Sequence, residues 1–316
     1  NAFSGRLAVV TGGGSGMGRE LVVQLANQGC SVASCDVDEP GLRQTSETAR
    51  AGAPPGTSVT SHRCDVSDED EVLRFRDEVL ADHRTDHIDL LFNNAGIGGG
   101  GSLIADPREI WERTFAVDFW GVYYCTRAFM PLLMRSSEAL LVNTSSVNGF
   151  WASLGPGVPH TAYSTAKFAV KGLSEALIED LRMNAPNVHV AVVMPGHVGT
   201  DIVANTRRVL GEPDPEEMSE AEVERWRPTL LKTGLPADSS TADLRRFLSR
   251  MAGDFKANAP LSASEAATII LDALRAGKWR ILVGNDAEAL DARVRRDPET
   301  AYDHTRMGPG LLRPDS

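Results

Sequence analysis

Short apolar runs alternate with longer amphipathic stretches along most of the chain. The runs are Leu7 to Val10, Ser31 to Cys35, Val59 to His62, Ile88 to Phe92, Ala139 to Asn143, Val188 to Val193, and Arg280 to Val283. Their length and apolar character fit strands buried on both faces. Between them, helix-like periodicity covers residues 17–28, 40–51, 69–83, 107–135, 161–184 and 264–276. Strand followed by helix, repeated, predicts an α/β fold: a doubly wound sheet of about seven parallel strands with helices on both faces. Residues 201–260 break the rhythm, with Pro213, Pro215, Pro228 and Pro236, an acidic patch from Glu216 to Glu224, and no strand candidate. They are expected to form a helical excursion over the active-site edge, with a surface insertion as the alternative. The tail 297–316, carrying Pro298, Pro309 and Pro314, is expected to dock on a neighbour or stay loose.

A chain of 316 residues, 42% hydrophobic and 24% charged, is long enough to bury one large core, so residues 1–316 are expected to form a single domain. The net charge of −11 is spread without a basic stripe, which argues against nucleic acid or an anionic membrane as partner. No apolar stretch reaches the roughly 18 residues of a spanning helix, and the first residues lack a signal-peptide apolar region. Cys30, Cys35, Cys64 and Cys125 show neither Cys-x-x-Cys nor a histidine at ligand spacing. They read as reduced core thiols of a cytoplasmic protein, with no metal site.

With so acidic a chain, an anionic ligand needs local backbone donors. Directly after the first strand comes Thr11-Gly12-Gly13-Gly14-Ser15-Gly16-Met17-Gly18, followed by a helical run from Arg19. Gly12 permits the tight turn, Gly16 lets backbone approach a pyrophosphate, and Gly18 lets helix and strand pack closely. The helix start offers unpaired amides and about half a positive charge. Gly12, Gly14, Ser15, Gly16, Met17 and Gly18 are therefore candidate dinucleotide contacts. Asp36 closes the second strand about twenty residues on, where a carboxylate accepts from ribose hydroxyls and repels a 2′-phosphate; with Ser15 supplying no cation, NAD is favoured over NADP. Asp65 and Val66, after the third strand, are candidates for the adenine edge, with an N-cap or turn as the alternative for Asp65.

Further along stand Asn93-Asn94-Ala95-Gly96, then Ser145-Ser146-Val147-Asn148-Gly149, then Tyr163-Ser164-Thr165-Ala166-Lys167, whose four-residue spacing puts a phenol and an ammonium on one helix face. Pro195-Gly196-His197-Val198-Gly199-Thr200 follows the sixth strand. Over roughly residues 5–200, in this order, the chain resembles the short-chain dehydrogenase/reductase family, in its compact Thr-Gly-x-x-x-Gly-x-Gly branch.

The resemblance implies a Rossmann-type domain and interconversion of a secondary alcohol and a ketone. Tyr163 would act as general acid/base and Ser146 would bond the substrate oxygen. Lys167 would hold the nicotinamide ribose and favour the phenolate, which its cation stabilises. It further implies cofactor contacts from Ala95, Gly96, Pro195, Gly196, Val198 and Thr200, with Asn94 either bracing the central sheet, the role the resemblance leans to, or touching the adenosine ribose, and a homodimer or homotetramer paired through the helices near 107–135 and 161–184. One position departs. Where the family has an asparagine that helps hold a water linked to the lysine, this chain has Asp118, which can accept hydrogen bonds and support the same water but cannot donate an amide proton.

Trp151, Leu154 and Val158, in the loop after Ser146, and Ile97, Ile202, Val203, Val209, Leu210, Met218 and Trp226 are expected to offer apolar surface to a hydrophobic substrate such as a steroid, terpenoid or lipid. His160 and His197 are assigned no chemistry. Two other readings are an NADPH-dependent reductase of acyl thioesters, opposed by Asp36, and a non-catalytic NAD sensor, opposed by the Ser146, Tyr163 and Lys167 set.

Overall fold

The computed structural model describes residues 2–155, 158–232 and 234–302. Seven strands make one sheet: β1 (Leu7–Thr11), β2 (Ser31–Asp36), β3 (Val59–Arg63), β4 (Leu90–Asn93), β5 (Ala139–Thr144), β6 (Val188–Pro195) and, past a short ribbon, β9 (Arg280–Val283). Their order is β3-β2-β1-β4-β5-β6-β9 and every neighbouring pair is parallel. Each predicted strand is present, within two residues at either end.

Alternation within β1 shows how the sheet is held. Ala8 and Val10 face one core, packed by Leu21, Val22 and Leu25 of α1 (Gly16–Asn27) and by Ile270 and Leu271 of α11 (Ala263–Arg275). Leu7 and Val9 face the other, with Val72, Phe75 and Val79 of α3 (Glu69–His83) and Phe129 and Leu133 of α5 (Gly121–Leu133). Residues one apart in a strand point to opposite faces, so each strand feeds both layers. The chain leaves β1 towards β2 and returns to β4 on its other side. Strand order therefore reverses at β1, and a crevice opens there beyond the strands' C-terminal ends.

The predicted helix over 107–135 is interrupted. It runs as α4 (Arg108–Phe115), a π-helical turn (Ala116–Trp120) and α5. Such a turn holds one residue more than an α-turn, and this one carries Asp118, with its side chain fully buried. α2 (Glu39–Gly52) follows β2, and α6 (Thr161–Asn184) carries Tyr163 and Lys167.

The excursion is helical, as expected: α7 (Ile202–Leu210), α8 (Glu220–Arg225), α9 (Arg227–Lys232) and α10 (Thr241–Ala257). Its two ends are pinched together by a parallel ribbon of β7 (Val198–Gly199) and β8 (Leu261–Ser262) that the apolar pattern did not predict. Met218 and Trp226 are not free to meet a substrate. They pack with Val223, Leu230, Leu244 and Leu248 in a small core of the excursion itself. Capping boxes at Ser219–Glu222 and Ser240–Asp243 fix the starts of α8 and α10. A last helix, α12 (Asn285–Arg296), follows β9. The start of the predicted tail then folds back onto its own chain: Ala301 accepts from Trp151 Nε1 at 2.8 Å, and the Tyr302 hydroxyl accepts from Ala152 N at 3.0 Å. Residues 303–316 lie outside the described residues.

Candidate active site

At the switch point a solvent-open cleft gathers Gly12, Ser15, Gly16, Met17, Asp36, Asp65, Val66, Asn94, Ala95, Gly96 and Thr200 from segments distant in sequence. Gly12 turns with φ 72°, a conformation that L side chains resist, and a Cβ on Gly18 would lie 2.0 Å from the Gly12 carbonyl oxygen. Glycine at 18 is thus what lets α1 start against the end of β1. Ser15 is the N-cap of α1, yet its side chain makes no cap bond. Its hydroxyl instead accepts from Asn205 Nδ2 of α7 at 2.8 Å. An uncapped helix start facing a cleft suits an anionic group such as a pyrophosphate. The residues present therefore fit a dinucleotide.

Gly14 lies beside this lining, its N–H donating to Asp36 Oδ2 at 2.9 Å; Asp36 Oδ1 accepts from Asp38 N at 3.0 Å. Asp36 is thereby held at the mouth of the glycine loop. Asn94 spends its amide on the Thr11 carbonyl at 3.1 Å, stapling the end of β4 to β1. Asp65 is bonded by Arg113 Nη2 of α4 at 2.5 Å and by Ser67. Burial opposes its ionisation, but the bonds from Ser67 and Arg113 outweigh that and hold the carboxyl below its ordinary value. Of the turn after β6, only Thr200 reaches the cleft lining. Val198 is buried in the core, and Gly196 is pressed against Asp286, whose carboxylate a Cβ there would meet at 2.2 Å. Pro195 ends β6, paired with Val283.

The inner end of the cleft meets the polar set on α6. A Cβ on Gly96 would lie 2.6 Å from Asp118 Oδ1 and 3.2 Å from Lys167 Nζ. Asp118 and Lys167 form an ion pair at 2.9 Å, their side chains 0% and 3% exposed. Asp118 thus meets the lysine directly, at hydrogen-bond distance. Asp118 also accepts from Ile97 N at 3.3 Å, and Lys167 Nζ donates to the Thr144 carbonyl at 3.3 Å. The ammonium stands 5.3 Å from the Tyr163 ring centroid, and the Ser146 hydroxyl lies close enough to the phenol to lower its pKa.

Burial raises the Tyr163 phenol, Lys167 pulls it down, Asp118 pushes it up and Ser146 lowers it; the balance lies above an ordinary phenol. Burial disfavours the Lys167 ammonium, but Asp118 and Tyr163 more than restore it. Burial lifts Asp118 above an ordinary carboxyl, against the pull of Lys167. Ser145 turns away, donating to the Lys167 carbonyl at 2.7 Å, so Ser146 is the serine that faces the phenol.

Several cleft residues were missed by sequence reasoning. Arg113 on α4, and Asn205 and Arg208 on α7, line the cleft. Arg208 approaches Asp38 at 3.4 Å, and Arg19 donates to the Gly14 carbonyl at 2.7 Å, so the glycine loop does have a cation beside it. Only the dipole-complementing position of Arg207 and Arg208 in the last turn of α7 was a visible signal. Trp151 is buried against Leu290 and Ala301, and His197 Nε2 bonds the Phe255 carbonyl at 2.8 Å. The His160 ring lies 4.7 Å from that of Tyr163, and burial lowers its pKa to about 4. Among the described residues no group of three or more His, Cys, Asp or Glu could hold a metal ion. The four cysteines are free and buried. No described helix is long and apolar enough to cross a membrane.

A profile of the short chain dehydrogenase family matches residues 6–210. The chain belongs to that family, whose members are oxidoreductases that bind a nicotinamide cofactor. It is 38% identical over 212 residues to the Mycobacterium tuberculosis oxidoreductase SadH, covering 67% of this chain and 74% of that one. It is 35% identical over 202 residues to the 1-deoxy-11-beta-hydroxypentalenate dehydrogenase of Streptomyces exfoliatus, covering 63% and 69%. A short-chain dehydrogenase/reductase from Burkholderia phymatum in complex with NAD superposes with a TM-score of 0.74 at 31% identity, over 94% of each chain. A metagenomic short-chain oxidoreductase in complex with NADP gives 0.55 at 32% identity, over 62% and 84%.

Proposed function

We propose that the protein is an NAD(H)-dependent dehydrogenase that interconverts a hydrophobic secondary alcohol and its ketone. The observation that carries the reading is the assembly of Ser146, Tyr163 and Lys167 at the inner end of a cleft whose other end is an uncapped helix start beside Asp36. A nicotinamide dinucleotide bound along that cleft supplies the hydride acceptor or donor. Gly12, Gly14, Ser15, Gly16, Met17 and Gly18 seat its pyrophosphate, and Asp36 accepts from the adenosine ribose. Asp65 and Val66 border the adenine; Asn94, Ala95, Gly96 and Thr200 shape the remaining wall, with Pro195, Gly196 and Val198 behind Thr200 fixing the turn that carries it.

Ser146 donates to the substrate oxygen as that oxygen gains negative charge. Tyr163 takes the hydroxyl proton in oxidation and returns it in reduction, and Lys167 stabilises the phenolate between the two. Ile97, Ile202 and Val209 line the cleft with apolar surface, which suits a terpenoid, steroid or lipid-like substrate. The likeness to a pentalenate dehydrogenase supports the same class.

Arg19 and Arg208 favour one second reading, an NADPH-dependent carbonyl reductase, because their cations stand near the adenosine end. Exposed Trp120, Tyr123 and Phe168, on the π turn, α5 and α6, support pairing of copies through those helices.

The test follows nicotinamide absorbance over a panel of hydrophobic secondary alcohols with the wild type and Tyr163→Phe. Acid/base assistance of this kind contributes typically about 10² to 10⁴ in rate, so the variant should lose at least about 10² in turnover while binding NAD as before. Wild-type turnover in Tyr163→Phe would sink the assignment. Tighter binding of NADPH than NADH would move the reading to the reductase.

A further inference from the structure

Asp118 puts a buried carboxylate in direct contact with Lys167. We propose that Asp118 is a positioning residue that fixes the Lys167 ammonium and withholds part of its charge from Tyr163. The proton transfer then works at higher pH than a neutral residue at 118 would allow. The inference rests on the reading of Tyr163 as the acid/base.

Three observations carry it. The first is position: Oδ1 of Asp118 lies 2.9 Å from Nζ of Lys167, and the same ammonium stands 5.3 Å from the Tyr163 ring centroid. One cation therefore serves two anions once Tyr163 ionises. The second is confinement. Asp118 is fully buried on a π turn, Gly96 leaves no room for a Cβ between carboxylate, lysine and cleft wall, and Ile97 N donates to the carboxylate at 3.3 Å. Neither charge can turn to solvent.

The third is the set of neighbours. The π turn brings Asp118, β5 brings the Thr144 carbonyl, the turn after β5 brings the Ser146 hydroxyl, and His160 lies ring to ring with Tyr163, held neutral by burial. The charges that act on the phenol are thus Lys167, which stabilises the phenolate, and Asp118, which opposes it. Replacing the carboxylate by an amide of the same shape removes the opposing charge while its carbonyl can still accept from Nζ.

The experiment compares wild type, Asp118→Asn and Tyr163→Phe. The phenolate of Tyr163 is titrated by ultraviolet difference absorbance in the enzyme without cofactor, with Tyr163→Phe as the blank for the other tyrosines. In parallel, kcat/KM is profiled against pH in both directions. In Asp118→Asn the phenolate should appear about one pH unit lower, and the acid limb of alcohol oxidation should move down with it. At a fixed pH on that limb oxidation rises about tenfold, while the alkaline limb of ketone reduction retreats by the same unit. A merely structural role would slow both directions together and leave the limbs in place.

A phenolate titration and limbs that stay put, or move up, overturn the inference. Should Asp118→Asn fail to fold, Asp118→Ser, neutral at the same place, takes its part in the titration: a phenolate that appears lower than in the wild type supports the inference, and one that stays put or appears higher overturns it. Full turnover in Tyr163→Phe would instead remove the acid/base reading, a failure visible apart from the titration.

Discussion

Cutting one member of the buried ion pair should cost more than cutting both. At 2.9 Å, with side chains 0% and 3% exposed, Asp118 and Lys167 attract by roughly 6 kcal/mol at an effective dielectric of about 20. Desolvation of each ion offsets much of that attraction, so the pair adds little net stability. Removing one partner is different, since it leaves an uncompensated buried charge at a cost of about 3–5 kcal/mol. Lys167→Met and Asp118→Leu should each lose about that much, and the double variant should lose less than either. The assay is urea unfolding followed by tryptophan fluorescence, read as a double-mutant cycle.

In Lys167→Met the loss should also shrink as the solution is acidified. Burial already holds the folded-state carboxyl of Asp118 above its ordinary value, and losing the cation raises it further. A carboxyl raised above its unfolded value of about 3.9 contributes stability that is present in full below that value and lost as pH rises through the folded value. Single variants costing under about 1 kcal/mol, or losses that simply add, would refute the picture of two confined charges.

Two glycines should behave oppositely. Gly18→Ala would put a Cβ 2.0 Å from the Gly12 carbonyl oxygen and should lower Tm by roughly 5–10 °C with loss of dinucleotide binding, whereas Gly253→Ala, in α10 with nothing within 4 Å of the new methyl, should gain about 1 kcal/mol. Equal effects on thermal melting would refute the contrast. Acid should melt the excursion early. Bonds from Arg227 and Thr241 hold Glu224 down to about 2, so the stability it contributes is present above its unfolded value of about 4.3 and is lost as pH falls towards 2. Tryptophan fluorescence during acid titration, compared with a Trp226→Phe variant, reads that step, and a Trp226 signal unchanged to pH 2 would contradict it. Tyr302→Ala removes the bond to Ala152 and the ring contact with Trp151, and should speed proteolysis of the 150–155 loop several-fold; an unchanged cleavage rate would argue that the loop holds itself.

The sheet was legible because strands buried on both faces must be apolar throughout and the helices between them amphipathic. The glycine cradle was legible because tight turns and close backbone approach leave few residue choices. What stayed hidden depends on side chains from distant segments. Arg113 reaching Asp65, Asn205 reaching Ser15 and Arg208 nearing Asp38 leave no periodic trace. The π turn hid inside a continuous apolar stripe, since one added residue barely disturbs that periodicity. Met218 and Trp226 looked like pocket surface because an apolar residue in an irregular segment does not announce its partner. The serine capping boxes beside them were the sequence signal that the segment builds its own helices. α12 escaped notice behind its polar composition. Yet Asp286 and Glu288 in its first turn, and Arg293, Arg295 and Arg296 in its last, are the charge order a helix dipole favours.

The strand order carries a consequence for synthesis. β3, β2, β1 and β4 sit side by side and come entirely from residues 7–93, so the glycine-loop half of the sheet can pair its strands while the rest of the chain is still being made. Asp118 follows on the crossover from β4 to β5, and Ser146, Tyr163 and Lys167 come only after β5. The exposed edge of β4 therefore waits for β5, whose pairing joins Leu90 to Leu140 across the two halves. Parallel pairing across such separations is slow, and an unpaired apolar edge is prone to aggregation. During production of the protein, β4 is the strand that a chaperone, or a lower expression temperature, has most reason to protect.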